Sequence, residues 1–205
     1  LQILETSRIY RSLGHEALIV TDFSPRLLKT ANLFHLFNLM KVSELLPFFE
    51  FSLKNRIKIL LTPIFQNLAE YNKKGRFGIS KYLYKIKNNN LTVWTKKDIL
   101  KNAALVLPCA NLEAQEIKKC LQIDNFSFEV VPNFINIDKM EQNSSFFSRK
   151  HPELSGFILS VARIEALKNQ IALINSLKKK KLPLVFIGNL NRKHKLYTSS
   201  FKFLV

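Results

Sequence analysis

Two cysteines, five glycines and seven prolines in 205 residues exclude several kinds of protein at once. Cys109 and Cys120 are too few for the disulfide framework of a small secreted domain and stand in no metal-ligand spacing, so reduced cytosolic thiols are expected. Acids are scarce too, with 15 Asp and Glu against 32 Lys and Arg, a formal net charge of +17. Clean hydrophobic runs are missing. The most apolar stretch, residues 31–53, is broken by Lys41, Glu44 and Glu50 and falls short of the ~20 apolar residues that a bilayer crossing needs.

What is present is apolar enough to fold. At 47% hydrophobic and 23% charged, the chain has the composition of a globular protein with one good core or two small ones. The basic residues are unevenly spread. Between Phe51 and Lys97 lie eleven Lys or Arg and a single acid, Glu70, and no Asp or Glu follows Glu165. Such a field suits nucleic acid, anionic lipid or a phosphorylated substrate, and equally an ordinary lysine-rich solvated surface. The opening LQILETSRIYRSLGHE reads as mid-helix and the closing SSFKFLV lacks turn chemistry, so a fragment of a longer chain is expected.

Periodicity alternates along the chain. Leu4, Ile9 and Leu13 fit a helix face, Gly14 offers a stop, and EALIVT reads as a short buried strand. NLFHLF at 32–37 is a second strand, VSELLPFFEFSL an amphipathic helix kinked or started by Pro47, and RIKILLTPIF a strand ended by Pro63. Residues 66–90 read as a long loop with one helix around Ser80 to Ile86. TKKDILKNA, ALVLPC, NLEAQEIKKCLQ and FEVVPN follow as helix, strand, helix and strand. Continuous apolar strands alternating with helices predict a parallel sheet covered on both faces, a doubly wound α/β domain.

That first domain is expected over 1–138 and a polar linker over 139–155. The alternation then begins afresh over 156–205 with FILSVA, KNQIALINSLKKK, PLVFIG and a helix from His194. In open α/β sheets, ligands sit beyond the carboxyl ends of strands, where helix N-termini offer free N–H groups. Arg163 follows one such strand and Lys168 the helix start after it. A forked guanidinium and a mobile ammonium there would neutralise a diphosphate as its bond to a leaving sugar breaks. Two exposed cations at a helix entrance would read the same way from spacing alone.

These residues also carry a family resemblance. FILSVARIEALKNQ resembles the stretch of glycosyltransferase family 4 in which a strand, Gly-Arg-Ile, a short loop and Lys-Asn-Gln open the nucleotide-sugar domain. SLGHEALIVT, FHLFN, KNAALVLPCANLEAQEIKK, VVPNFIN and LVFIGN resemble other pieces of that family in the same order. The resemblance implies the GT-B fold, two Rossmann-like domains facing a cleft, the first lacking its opening strand here and the second cut short. It implies retaining hexose transfer from a nucleoside-diphosphate sugar to a glycan or lipid-linked acceptor in cell-surface polysaccharide or lipopolysaccharide synthesis, without a cofactor or an obligatory metal.

Carried over by residue, Arg163 and Lys168 would hold the donor diphosphate. His35, the catalytic candidate, would approach the transferred sugar, and Gly188 would let the backbone approach the nucleotide. The plain alternatives are a hydrogen-bonded histidine between Phe34 and Phe37, and a tight turn at Gly188. Departures accompany the match. Ala162 replaces the usual Gly before Arg, Phe134 stands where positive φ is often needed, and Asn136 where Asp is common. Ala110 replaces a capping Ser, which leaves Glu113 without its reciprocal partner and Asn111 as the substitute cap. The family's pair of second-domain glutamates, seven residues between them, has no counterpart after Glu165, so this chain alone is not expected to catalyse.

The segment from Phe51 to Trp94 would then face an anionic acceptor or the inner face of a membrane from the cytoplasm, as a peripheral protein. The competing reading is a non-catalytic basic module for nucleic acid or anionic membrane. It rests on charge alone, for no nucleic-acid-binding motif stands in the sequence. A GT-B phosphorylase or sugar-nucleotide epimerase would share the fold with a different set of cleft residues.

Overall fold

The computed structural model describes residues 2–68, 90–134, 145–154, 156–180, 182–192 and 194–205. The described residues up to 134 form one compact unit and those from 145 onward a second.

The first unit is built on a parallel sheet of β1 (Leu33–Phe37), β2 (Lys58–Thr62) and β3 (Leu105–Val106), in that spatial order. Pairing runs from Leu33 against Lys58 to Phe37 against Thr62, then Leu60 and Leu61 against Leu105 and Val106. The period of two divides each strand between two faces. Phe34, Leu36, Ile59 and Leu61 sink into one apolar cluster with Val42, Leu45 and Phe49 of α3 (Val42–Asn55) and Ile99 and Leu100 of α4 (Asn90–Asn102). At roughly 1.5–3 kcal/mol for each large apolar side chain removed from water, this cluster is the main source of stability in the unit. His35, Phe37, Leu60 and Thr62 occupy the opposite face.

The α3 helix continues through Pro47, in its second turn, so the Ser43 carbonyl loses the amide that would have met it. It ends at Arg56 in the left-handed region (φ 56°), with the amides of Arg56 and Ile57 bonded back to Leu53 and Ser52. α5 (Asn111–Leu121) closes similarly at Gln122. Between Ser24 and β1 lies the single turn α2 (Pro25–Leu28).

Several expectations change here. α1 (Gln2–Ser12) forms and stops at Gly14 (φ 86°), but Leu4, Ile9 and Leu13 lie exposed; the buried residue of the helix is Ser7. EALIVT forms no strand, and Leu18 and Ile19 stay exposed. A strand needs a ladder partner, which apolar character alone cannot supply, and β1 is the edge of its sheet. FEVVPN is reduced to one parallel bridge, Val106 with Phe128, and three backbone bonds: Val106 N to Ser127 O, Glu129 N to Val106 O and Val131 N to Pro108 O. Pro108 has no amide with which to extend the ladder.

The helix expected around Ser80 to Ile86, Asn136 and residues 69–89 of the basic segment between Phe51 and Trp94 lie outside the described residues. So do 139–144 and 155 of the expected linker, in which Ser145–Lys150 forms the short helix α6.

The second unit pairs β4 (Ile158–Val161) in parallel with β5 (Leu184–Ile187), from Ile158 against Leu184 to Val161 against Ile187. One face packs through Phe186 on Phe201 of α8 (Lys195–Leu204), with ring centroids 5.2 Å apart and edge to face. The other face, with Leu159, Val161 and Ile187, is exposed. α7 (Gln170–Leu177) is tied to α8 by the Tyr197 hydroxyl, which accepts from the Ile171 amide and donates to Gln170 Oε1, both at 3.1 Å.

Candidate functional site

In the first unit, His35 sits on β1 with both ring nitrogens engaged. Tyr10 Oη of α1 lies 2.9 Å from Nδ1, and Thr62 Oγ1 of β2 lies 2.8 Å from Nε2. The register explains the second contact: His35 pairs with Leu60, and Thr62 is the next residue of β2 on the same face. Phe37 stacks on the imidazole at 4.2 Å and Tyr10 meets it edge-on at 5.9 Å. Burial pushes the His35 pKa down to about 4 and raises that of Tyr10. The ring is therefore neutral near pH 7, with one hydroxyl donating to it and the other accepting from it.

This triad lines, with Gln2 and Thr6, a cavity of about 160 Å³ whose apolar walls are Ile9, Leu107, Val131 and Phe134. Phe134 lies outside the left-handed region; among the described residues, positive φ at non-glycine positions falls on Asn38, Arg56, Ile64, Gln122 and Asn169. A small, mostly apolar chamber lined by several neutral hydrogen-bonding residues can orient a polyhydroxylated ligand without forming an ion pair.

Glu113 lacks a reciprocal side-chain cap, as expected from Ala110, but its carboxylate is not unpartnered; Asn111, expected as the substitute cap, is instead the first residue of α5. Ala110 is the N-cap of α5, and the buried Glu113 carboxylate reaches back to accept from the Cys109 amide (2.6 Å) and across to the Phe65 amide (2.5 Å). It thereby fixes the loop after β2 to the start of α5. The same carboxylate, together with burial, raises the Cys109 thiol pKa, burial being the larger cause. Cys109 and Cys120 are free thiols.

In the second unit, Arg163 and Lys168 both lie exposed beyond the end of β4. Arg163 has a partner that spacing alone does not disclose: its guanidinium stands 3.2 Å from Oε1 of Glu165, a side chain 4% exposed. Asn191 Nδ2 donates to the other Glu165 oxygen at 2.5 Å. Lys168 ends a 3-10 turn (Ala166–Lys168) rather than opening a helix; Asn169 follows at φ 54°, and α7 begins at Gln170. Gln170 is 1% exposed and donates from Nε2 to the Arg163 carbonyl at 2.9 Å, which holds the loop around the two cations in shape.

Gly188 (φ 154°) meets the same loop. A Cβ there would lie 2.6 Å from the Ala162 carbonyl carbon and nearer still to its oxygen. The residue that Gly188 lets approach is thus Ala162, immediately before Arg163, so β4 and β5 exit side by side. The chain continues in parallel, with Ile164 N bonded to Asn189 O and Asn191 N to Ile164 O. Gly188 and Arg163 come together on one edge of the second unit, and His35 belongs to the first.

Residues overlooked in the sequence include Tyr10, Thr62, Glu165 and Gln170. Also overlooked are Arg192, Lys195 and Lys202, which line an open groove of about 990 Å³ with Gly188 and Thr198. The spacing of seven between Lys195 and Lys202 was the available signal, since it puts both on one helix face. Among the described residues, no group of three or more His, Cys, Asp or Glu side chains is placed to hold a metal ion, and no helix is long and apolar enough to cross a membrane. No known protein-family model matches the chain, and no curated protein matches it in sequence.

Proposed function

We propose that the chain belongs to a retaining glycosyltransferase of the GT-B type and contributes to binding a nucleoside-diphosphate hexose destined for a glycan or lipid-linked acceptor in surface polysaccharide synthesis. The observation that carries this reading is the meeting of Arg163 and Gly188 at the carboxyl ends of two parallel strands, with Lys168 on the following turn. Strand ends of this kind are where α/β proteins place ligands, and a guanidinium with an exposed ammonium is suited to a diphosphate.

In this reading Glu165 orients the Arg163 fork and Gln170 holds its backbone. In the first unit, His35, kept neutral by burial, orients the Tyr10 and Thr62 hydroxyls that engage its two nitrogens, and the remaining hydrogen-bonding capacity of those hydroxyls suits a sugar. The reading assigns donor binding to the Arg163 and Lys168 edge of the second unit. The acceptor side falls to the first unit, in the cytoplasm or at an inner membrane surface.

Calorimetric titration with UDP-, GDP- and ADP-sugars tests the proposal. At least one donor should bind, and Arg163→Ala and Lys168→Ala should each weaken it about tenfold or more, since a hydrogen bond to a charged group contributes ~1.5–3 kcal/mol. Equal affinity in both variants, or tight salt-sensitive binding to random DNA with no response to any donor, would remove it.

A further inference from the structure

We infer that the groove between the Gly188 loop and α8 is a second anion site, one that takes a soluble ligand bearing two or more phosphate charges. This goes beyond the transferase reading: the groove shares Gly188 with the proposed donor edge, but its cations are not Arg163 and Lys168 and its charge does not depend on them. Arg192, Lys195 and Lys202 line it together with Thr198, and none of its lining residues is acidic. None of the three cations has an ion-pair partner among the described residues. The nearest carboxylate in sequence, Glu165, is engaged by Asn191 and Arg163.

Three like charges around one groove repel one another, and a multiply charged anion relieves that repulsion while accepting from each head group. The geometry is held from below. Gly188 is locked against Ala162, the loop after it is bonded to Ile164 on both sides, and α8 is anchored by Phe201 and Tyr197. A groove of about 990 Å³ is roomy enough for a diphosphate with a further group attached. The same phosphate chemistry is offered by a lipid headgroup, and the experiment distinguishes the two sources.

The test uses the whole chain in an Arg163→Gln/Lys168→Ala background, which removes the pair on which the transferase reading depends while Gln retains a donor for Glu165. Inorganic pyrophosphate is titrated by calorimetry at low and high salt. Binding should persist in this background, weaken with salt, and fall about tenfold or more on adding Arg192→Ala, Lys195→Ala and Lys202→Ala, with circular dichroism unchanged. In parallel, sedimentation is measured with phosphatidylcholine vesicles with and without phosphatidylglycerol. Pyrophosphate binding that is absent in the background, or indifferent to the three added substitutions, overturns the inference and leaves the Arg163 reading standing. Sedimentation with phosphatidylglycerol that needs the three cations, without pyrophosphate binding, overturns it in favour of a lipid headgroup.

Discussion

Two residues show how much a single side chain decides in this chain. Gly188 has a backbone conformation that L side chains rarely adopt and no room for a Cβ against Ala162. Gly188→Ala should therefore destabilise the second unit by about 2 kcal/mol or more. Denaturant unfolding would show it as a lowered midpoint, and an unchanged midpoint would mean the strands are free to part. His35 makes a different kind of contribution. Its folded pKa of about 4 lies below the unfolded value near 6.5, so the unfolded chain binds the extra proton first. The stability is fully present above pH ~6.5 and is lost as pH falls toward 4, by about 3 kcal/mol. Unfolding measured from pH 7 to pH 4 should show this slope, and His35→Gln should flatten it.

At the scale of elements, Glu113 fastens a helix start to a loop 48 residues away. Glu113→Ala would leave the amides of Phe65 and Cys109 without their acceptor, at a cost of about 3 kcal/mol, whereas Glu113→Gln should lose less because its carbonyl still accepts. Thermal unfolding of the two variants would order them. The contrast with the sequence is instructive. β1, β2, β4 and β5 were legible because each is a mainly apolar run bounded by Pro, Gly or polar residues, and burial on a parallel sheet favours such runs. EALIVT has the same character yet forms no strand, because a strand is a property of a pair. The partners of His35, Glu113 and Glu165 were illegible for a related reason. Tyr10, Thr62, Phe65 and Asn191 are brought to them by register and packing over 25 to 48 residues, distances at which no local pattern operates.

For the whole molecule, the parallel α/β architecture recurs in both units, and the charge of +17 is distributed over them with very few acids to offset it. The first unit offers a small, mostly apolar cavity with a neutral imidazole; the second offers exposed cations at strand ends. The cationic edge at the ends of β4 and β5 is the basis of the donor-binding proposal. Amide chemical-shift mapping of the isotopically labelled chain with a nucleoside-diphosphate sugar tests it most directly. The account predicts saturable shifts at Arg163, Lys168, Gly188 and their sequence neighbours. Shifts absent from those positions at saturating ligand, or confined to residues remote from the ends of β4 and β5, would contradict it.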